Sequence, residues 1–300
     1  MRLDVDSVCH PQTISWTCGH IDVIQRNAIH SWTCLQPRPQ IILFGDDEGT
    51  AEVAQELGVY HVPSVARSEF GTPLLHDVFA QAHRLAISTV LGYVNADIMM
   101  MSDFMQALER VVRFKRQFLM VGRRWDLELK EPLDFDENWE ERLRAHVVRH
   151  GELHSIAAMD YFVFPRGIYK KIPPFTVGRM AWDNWMIHAA RVQGVPVVDA
   201  SRAVIVVHQN HDYAHVPHRT SGAWGGAESE QNLALASSYA HSFSLDDATW
   251  LMSRRWLLPA LMTSHIRRRL WVCLTSYPRL KAWLARLKRR FSSLKPPMSK

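Results

Sequence analysis

The chain has 300 residues, 47% of them hydrophobic and 22% charged, with a formal net charge of +5. This is the composition of a globular protein with a sizeable core, enough for one large domain or two ordinary ones, and it excludes a disordered or fibrous chain. No apolar run approaches the roughly 20 residues that cross a bilayer as a helix.

The first twenty residues carry acids and no apolar h-region, so no secretory signal is expected. Cys9, Cys18, Cys34 and Cys273 lack CxxC spacing and read as reduced thiols of a cytoplasmic protein. Thr13 to Gly19 favours a strand, and the run after it places Ile21, Ile24, Ala28, Ile29 and Trp32 near helical spacing. Ile41 to Phe44 reads as a buried strand ending in Gly45, Asp46 and Asp47. A helix follows with Gly58 as its stop, then the short strand "VYHVP", the loop "SEFGTP" and an amphipathic helix, "LLHDVFAQAHRLA". "TVLGYVNADIMM" reads as one strand, followed by a helix from Ser102 that Ser102 or Asp103 would cap. "QFLMVGRRWDLEL" reads as a further strand, and an acidic stretch as a loop and helix. "AAMDYFVFPRGIY" is β in character, "WDNWMIHAARVQG" a helix closed by Gly194, and "VPVVDASRAVIVVHQNHDY" two last short strands. Short buried strands alternating with helices imply an α/β layered domain with the strands in the middle.

In open α/β sheets, ligands bind outside the carboxyl ends of the strands. Polar groups gather at such ends: Asp46 and Asp47, Asn95 and Asp97, Arg123, Arg124 and Asp126, Asp183 at a helix start, then His208 and His211. Carboxylate, imidazole and arginine together suit a hard divalent cation and a phosphorylated ligand. Taken one at a time, each has a plainer role. Asp97 and the Gly-Asp-Asp-Glu-Gly run are good turn residues, Asp183 is a helix cap, and tryptophans beside it are core. "HQNHDYAHVPH" holds four histidines, with no cysteine near and no standard zinc spacing.

In this order the pieces resemble a GT-A fold glycosyltransferase, of the large class related to glycosyltransferase family 2, over roughly Thr13 to Tyr213. The most specific part is the succession Phe164-Pro165-Arg166, Ile172-Pro173-Pro174-Phe175, Trp182-Asp183-Asn184, Arg191, Gly194 and His208, similar to the family's acceptor half. The resemblance implies a central, mostly parallel sheet and transfer of a sugar from a nucleoside-diphosphate sugar to a hydroxyl acceptor. A cell-surface polysaccharide or glycolipid is the implied setting. It implies that Asp46 or Asp47 meets the nucleoside and that Asn95-Ala96-Asp97 stands where the family has Asp-x-Asp, so that Asp97 binds Mn²⁺ or Mg²⁺. His208 is then a third ligand with His211 as its alternative, and Asp183 the general base. Gly71 and Thr72 would let the backbone approach the nucleotide, and Arg123 and Arg124 would steady the diphosphate. Asp160, Trp182 and Trp185 would face the acceptor. Asn95 and the single acid before Asn184 depart from the family pattern and keep open a catalytically silent sugar-nucleotide-binding protein. A nucleotidyltransferase would need a Gly-rich, basic loop early in the chain, and "SWTCGHIDVIQRNAIH" has one Gly.

The end of the chain differs from its body. From Leu251 onward stand 13 of the 35 Lys and Arg and none of the 30 Asp and Glu, leaving the first 250 residues with 22 basic and 30 acidic, a net of −8. The division expected is a GT-A domain over 1–245 and a basic helical tail over 246–300. Within that tail, residues 279–295 put Leu280, Trp283, Leu284, Leu287, Phe291 and Leu294 at helical spacing among Arg and Lys. Such a helix suits an anionic membrane surface, so the protein is expected in the cytoplasm with peripheral membrane contact and a glycan or lipid-linked acceptor. Packing of that helix on the protein's own acidic body is the alternative. Nucleic acid does not fit an acidic body with no recognition motif.

Overall fold

Alternation of buried strands with amphipathic helices builds a mixed α/β structure around a central, mostly parallel sheet, the class that the pattern implies. The computed structural model describes residues 5–10, 20–157, 159–211, 225–240 and 243–276. The strands are β1 (Val5–His10), β2 (Gln40–Phe44), β3 (Tyr60–Val62), β4 (Val90–Asn95), β5 (Ile98–Met99), β6 (Leu119–Val121) and β7 (Arg124–Leu127). They continue with β8 (Glu152–Leu153), β9 (Tyr161–Pro165), β10 (Val197–Asp199), β11 (Val206–Gln209), β12 (Trp250–Met252) and β13 (Leu257–Pro259). Nine of them form one sheet in the order β13-β12-β10-β6-β9-β4-β1-β2-β3, and β5-β11-β7-β8 form a second. In the large sheet β9 runs antiparallel to both neighbours and β13 antiparallel at one edge, while the other pairs are parallel.

The helices are α1 (His20–Thr33), α2 (Thr50–Leu57), α3 (Leu75–Leu85), α4 (Ser102–Phe114), α5 (Trp139–His150), α6 (Trp182–Val192), α7 (Ala227–Ala240) and α8 (Thr263–Ser276). α1 turns Ile24, Ala28, Ile29 and Trp32 into the core, as its period requires. α2 ends at Gly58 with φ +62, a left-handed stop that suits a residue without Cβ.

Three differences from the sequence pattern matter for function. "TVLGYVNADIMM" is two strands, because the chain leaves the large sheet at Asn95 and enters the small one at Ile98. "FLMVGRRWDLEL" divides the same way around Gly122 and Arg123. A Cβ at Gly122 would overlap the buried Tyr161 hydroxyl, so only glycine fits this crossing. The cap expected from Ser102 or Asp103 comes from another helix: Glu140 accepts from the Ser102 N–H at 2.7 Å and from its hydroxyl at 2.6 Å.

Contacts divide the chain into Met1–Pro259 and Ala260–Lys300. Residues 250–259, assigned to the tail by composition, form β12 and β13 of the large sheet, since Met252 and its neighbours carry enough apolar surface to pair and pack. In the second unit α8 sets the Arg268 guanidinium 4.6 Å from the Trp271 ring centroid. No helix of the described residues is long and apolar enough to cross a membrane. The expected strand at Thr13 to Gly19 and the amphipathic helix at 279–295 lie outside the described residues.

Candidate active site

Strand direction brings the predicted groups to one edge. β1, β2 and β4 run parallel, so His10 stands level with Asn95 and the carboxyl ends of all three share that edge. β9 runs the other way, and its first residue, Tyr161, pairs with Val94. Asp160 therefore arrives beside Asn95, with the Asn95 N–H on the Asp160 carbonyl at 3.1 Å. The small sheet closes over this edge. β11 lies between β5 and β7, with His208 opposite Ile98 on one side and Asp126 on the other. α1 holds the arrangement from behind. Trp32 Nε1 donates to the Ile98 carbonyl at 2.8 Å, and Gln209 Nε2 donates to the carbonyls of Ile24 and Asp97 at 2.7 and 3.3 Å.

The result is a connected set of charged side chains. Asp97 is 7% exposed. Its Oδ2 lies 3.4 Å from His208 Nε2 and 3.3 Å from His211 Nε2, while its Oδ1 is buried without a hydrogen-bond partner. One donor atom from each of Asp97, His208 and His211 lies within 4.8 Å of the others. On the far side of His208, Nδ1 stands 3.0 Å from Asp126 Oδ1, close in distance though not aligned as a hydrogen bond. Asp126 also meets His154 Nδ1 and accepts from Arg124 Nε at 2.9 Å. Arg124 Nη1 donates to both Asp160 oxygens at 3.0 Å, and Asn95 Nδ2 donates to Asp160 Oδ1 at 2.9 Å.

The charges follow from this geometry. Burial would raise the Asp97 carboxyl, but the charge on His208 and the bonds from both imidazoles hold it well below the usual carboxylate range. Burial likewise works against Asp126, and His208, Arg124 and His154 outweigh it, lowering that group too. His208, which burial alone would lower, is raised to about 9 by the carboxylates of Asp97 and Asp126 that flank its ring. A cation at this position would relieve the same carboxylates. An orphaned buried carboxylate oxygen beside two imidazoles fits a divalent first-row ion, and two nitrogen donors suit Mn²⁺ better than Mg²⁺. Asp126 behind His208 is the carboxylate–histidine arrangement that orients a ligating imidazole.

Asp183 opens α6 next to Ala181, a buried non-glycine residue in the left-handed region at φ +80. Backbone outliers of this kind cost of order 1–3 kcal/mol and concentrate at functional sites. Asp183 Oδ1 is buried with no partner. Burial, helped by the Asp160 charge and opposed by the Asn184 N–H, raises its carboxyl to about 7. The helix cap is Ala181, with no side-chain cap bond, so Asp183 occupies the first turn rather than the cap position.

Other expected residues are engaged elsewhere. Asp46 is exposed and paired with Arg67. Asp47, at the same sheet edge, keeps a buried Oδ2 without partner, and burial raises its carboxyl against the pull of Arg67. Gly71 has φ +82 and open space around it, so its backbone conformation accounts for the glycine. Thr72 donates to Glu228 Oε2 at 3.0 Å. Arg123 donates to the carbonyls of His154 and Leu153 at 2.6 and 3.2 Å, a loop clamp instead of a free cation. Trp182 is buried, its ring 5.0 Å from Tyr93 and 5.4 Å from Phe162, and offers no open face for a sugar. Trp185 is half-buried against Phe175 at 5.4 Å.

Two features escape the sequence. His154 is one of 16 histidines, and only the pairing of β7 with β8 carries it to Asp126. Glu228 of α7 accepts from Ser68 Oγ at 2.6 Å, Thr72 and Arg179 Nε at 2.9 Å, tying three segments together.

No protein-family model and no curated protein matches the chain. Among solved structures it is similar to S. aureus TarS 1–349, at 10% identity and a TM-score of 0.41, covering 70% of this chain and 59% of that one. It is also similar to the mannosyltransferase PcManGT from Pyrobaculum calidifontis in complex with GDP-Man and Mn²⁺, at 12% identity and a TM-score of 0.42, covering 69% and 57%. The chain thus spans less than two thirds of either structure's length. A likeness of that size carries no functional weight, and the function rests on the residues themselves.

Proposed function

We propose that the chain is a metal-dependent glycosyltransferase that moves a sugar, of hexosyl type, from a nucleoside-diphosphate sugar to a hydroxyl of a glycan or lipid-linked acceptor. The observation that carries this is the Asp97–His208–His211 donor set at the carboxyl edge of a mostly parallel sheet; a further carboxyl, Asp183, is raised to about 7 by burial with help from the Asp160 charge. Mn²⁺ held by Asp97, His208 and His211 would act as a Lewis acid toward the diphosphate. Asn95 is turned to Asp160 and so supports the acceptor side rather than the metal. Asp47, with its free buried oxygen, is the better candidate of the two acids for a nucleoside hydrogen bond. Asp160 keeps Arg124 beside the site, and burial, helped by the Asp160 charge, holds Asp183 basic enough to accept a proton near neutral pH.

In the transfer itself, the acceptor oxygen bonds to the anomeric carbon as the bond to the diphosphate oxygen breaks. The hydroxyl proton passes to a carboxylate oxygen of Asp183, and such a base-assisted displacement inverts the anomeric configuration. The basic tail would hold the enzyme at an anionic membrane surface on the cytoplasmic side. In the test, release of nucleoside diphosphate from nucleotide sugars is followed with Mn²⁺ and candidate acceptors across pH. The rate is expected to rise with pH and level off above about 7, and Asp183→Asn to lose about 10²–10⁴-fold. An Asn variant as fast as the wild type would contradict the role of Asp183. Nucleotide binding with no turnover under any condition would favour a silent binding protein.

A further inference from the structure

Side chains alternate across a strand, so β7 has two working faces. Arg124 and Asp126 look into the candidate active site, and Trp125 between them faces the other way. On that reverse side lies an open cleft of about 630 Å³, lined by α4, α5, the 201–205 segment that leads into β11, and Arg254. The volume is that of a small-molecule site.

Its lining contains four arginines, Arg110, Arg144, Arg202 and Arg254, against one carboxylate, Asp103. That carboxylate is already committed. Asp103 Oδ2 accepts from Arg144 at 2.7 Å and from the Ile205 N–H at 3.1 Å. Arg110 is anchored through Nε and Nη1 to the carbonyls of Gln106, Ser253 and Arg254, which leaves Nη2 for a ligand and fixes the group in place. Arg202 and Arg254 are exposed, and among the described residues neither side chain meets a carboxylate. The hydroxyls of Ser102 and Ser201 donate to Glu140 and Asp199, and Arg144 is shared between Asp103 and Glu140, so the groups left for a ligand are Arg110 Nη2, Arg202 and Arg254. A concave surface with three guanidinium groups free of carboxylate partners among the described residues, one of them anchored in place, is suited to tetrahedral oxyanions.

We propose that this cleft is a second, metal-independent binding site for a phosphate-bearing ligand, separated from the Asp97 site by the thickness of the small sheet. A soluble organic phosphate or pyrophosphate and a phospholipid headgroup share the chemistry it would recognise. The inference does not need the transfer reaction, since no residue of the Asp97 site takes part.

The test is calorimetric titration of the full chain with inorganic pyrophosphate in EDTA, which keeps the Asp97 site free of metal. Wild type and Asp97→Asn are expected to bind alike, and the double variant Arg202→Ala/Arg254→Ala to bind at least about tenfold more weakly. Both arginines are exposed, so the variant should fold, and an unchanged melting temperature would verify this. Pelleting with phosphatidylglycerol vesicles separates the sources. A loss of pelleting in the double variant names a lipid headgroup, and equal pelleting with weakened pyrophosphate binding names a soluble phosphate. If the double variant matches the wild type in both experiments, or the wild type binds neither probe, the site does not exist.

Discussion

Asp97 is the residue on which the chemistry turns, and its neighbours explain how a carboxylate remains charged at 7% exposure. Two imidazoles face one oxygen, and the other is buried without a hydrogen-bond partner among the described residues. Asp126 matters through His208, whose Nδ1 it faces so that Nε2 points to Asp97. Asp126→Asn is expected to weaken Mn²⁺ affinity by about 10–100-fold, measured by electron paramagnetic resonance of the free ion, while the fold persists. An unchanged affinity would limit Asp126 to its bonds with Arg124 and His154. The sign of the pH effects follows from the same groups. Asp183, raised from 3.8 to about 7, keeps a proton in the folded state that the unfolded chain has released. Its contribution to stability is therefore full below about pH 4 and is lost as pH rises through 7, at up to about 1.4 kcal/mol per unit. Residue types at strand ends pointed to Asp97, His208 and His211, which the structure brings together, while Asp183 was read at a helix start. What pattern reading missed was the partner of each, because His154 and Asp160 reach the site by strand pairing, which periodicity does not encode.

At the scale of elements, the site exists because the chain changes sheets twice, with β9 between the two departing strands and β11 between the two arriving ones. β4 hands over to β5 across Asn95-Ala96-Asp97, and β6 to β7 across Gly122-Arg123. Polar residues interrupt the apolar runs at both breaks, but a short interruption with β character on either side does not tell which sheet each half joins. α7 was missed for a different reason. It shows no strong apolar stripe, and its docking is polar: Glu228 binds Ser68, Thr72 and Arg179, and Asn232 binds the Thr176 N–H at 2.8 Å and its carbonyl at 3.0 Å. Arg179 and Glu228 side chains are 10% and 7% exposed, so Glu228→Ala leaves a buried guanidinium without its partner. That change is expected to cost about 3–5 kcal/mol, read from urea unfolding, whereas Ser68→Ala should cost about 1 kcal/mol. Equal small losses for both would show that α7 is held by something other than Glu228.

Over the whole molecule, the alternation of strands and helices anticipates an α/β body, and charge sets the basic end apart from it. The end of the sheet lies further along the chain than charge suggests, because β12 and β13 follow the last acidic residues. The proposal that the chain transfers sugars depends most on whether the Asp97 edge takes up a metal and a nucleoside diphosphate together. A ligand bound only by the folded state raises the melting temperature by mass action, by about 2.7 kcal/mol at a hundredfold excess over Kd. The deciding measurement is therefore a thermal-shift panel of UDP, GDP, TDP and CMP with their sugars, with and without Mn²⁺, on the wild type and on Asp97→Asn. The account predicts a rise with one nucleoside diphosphate and its sugar that requires Mn²⁺ and disappears in Asp97→Asn. No Mn²⁺-dependent rise with any nucleotide, or one that survives the loss of the Asp97 charge, would contradict it.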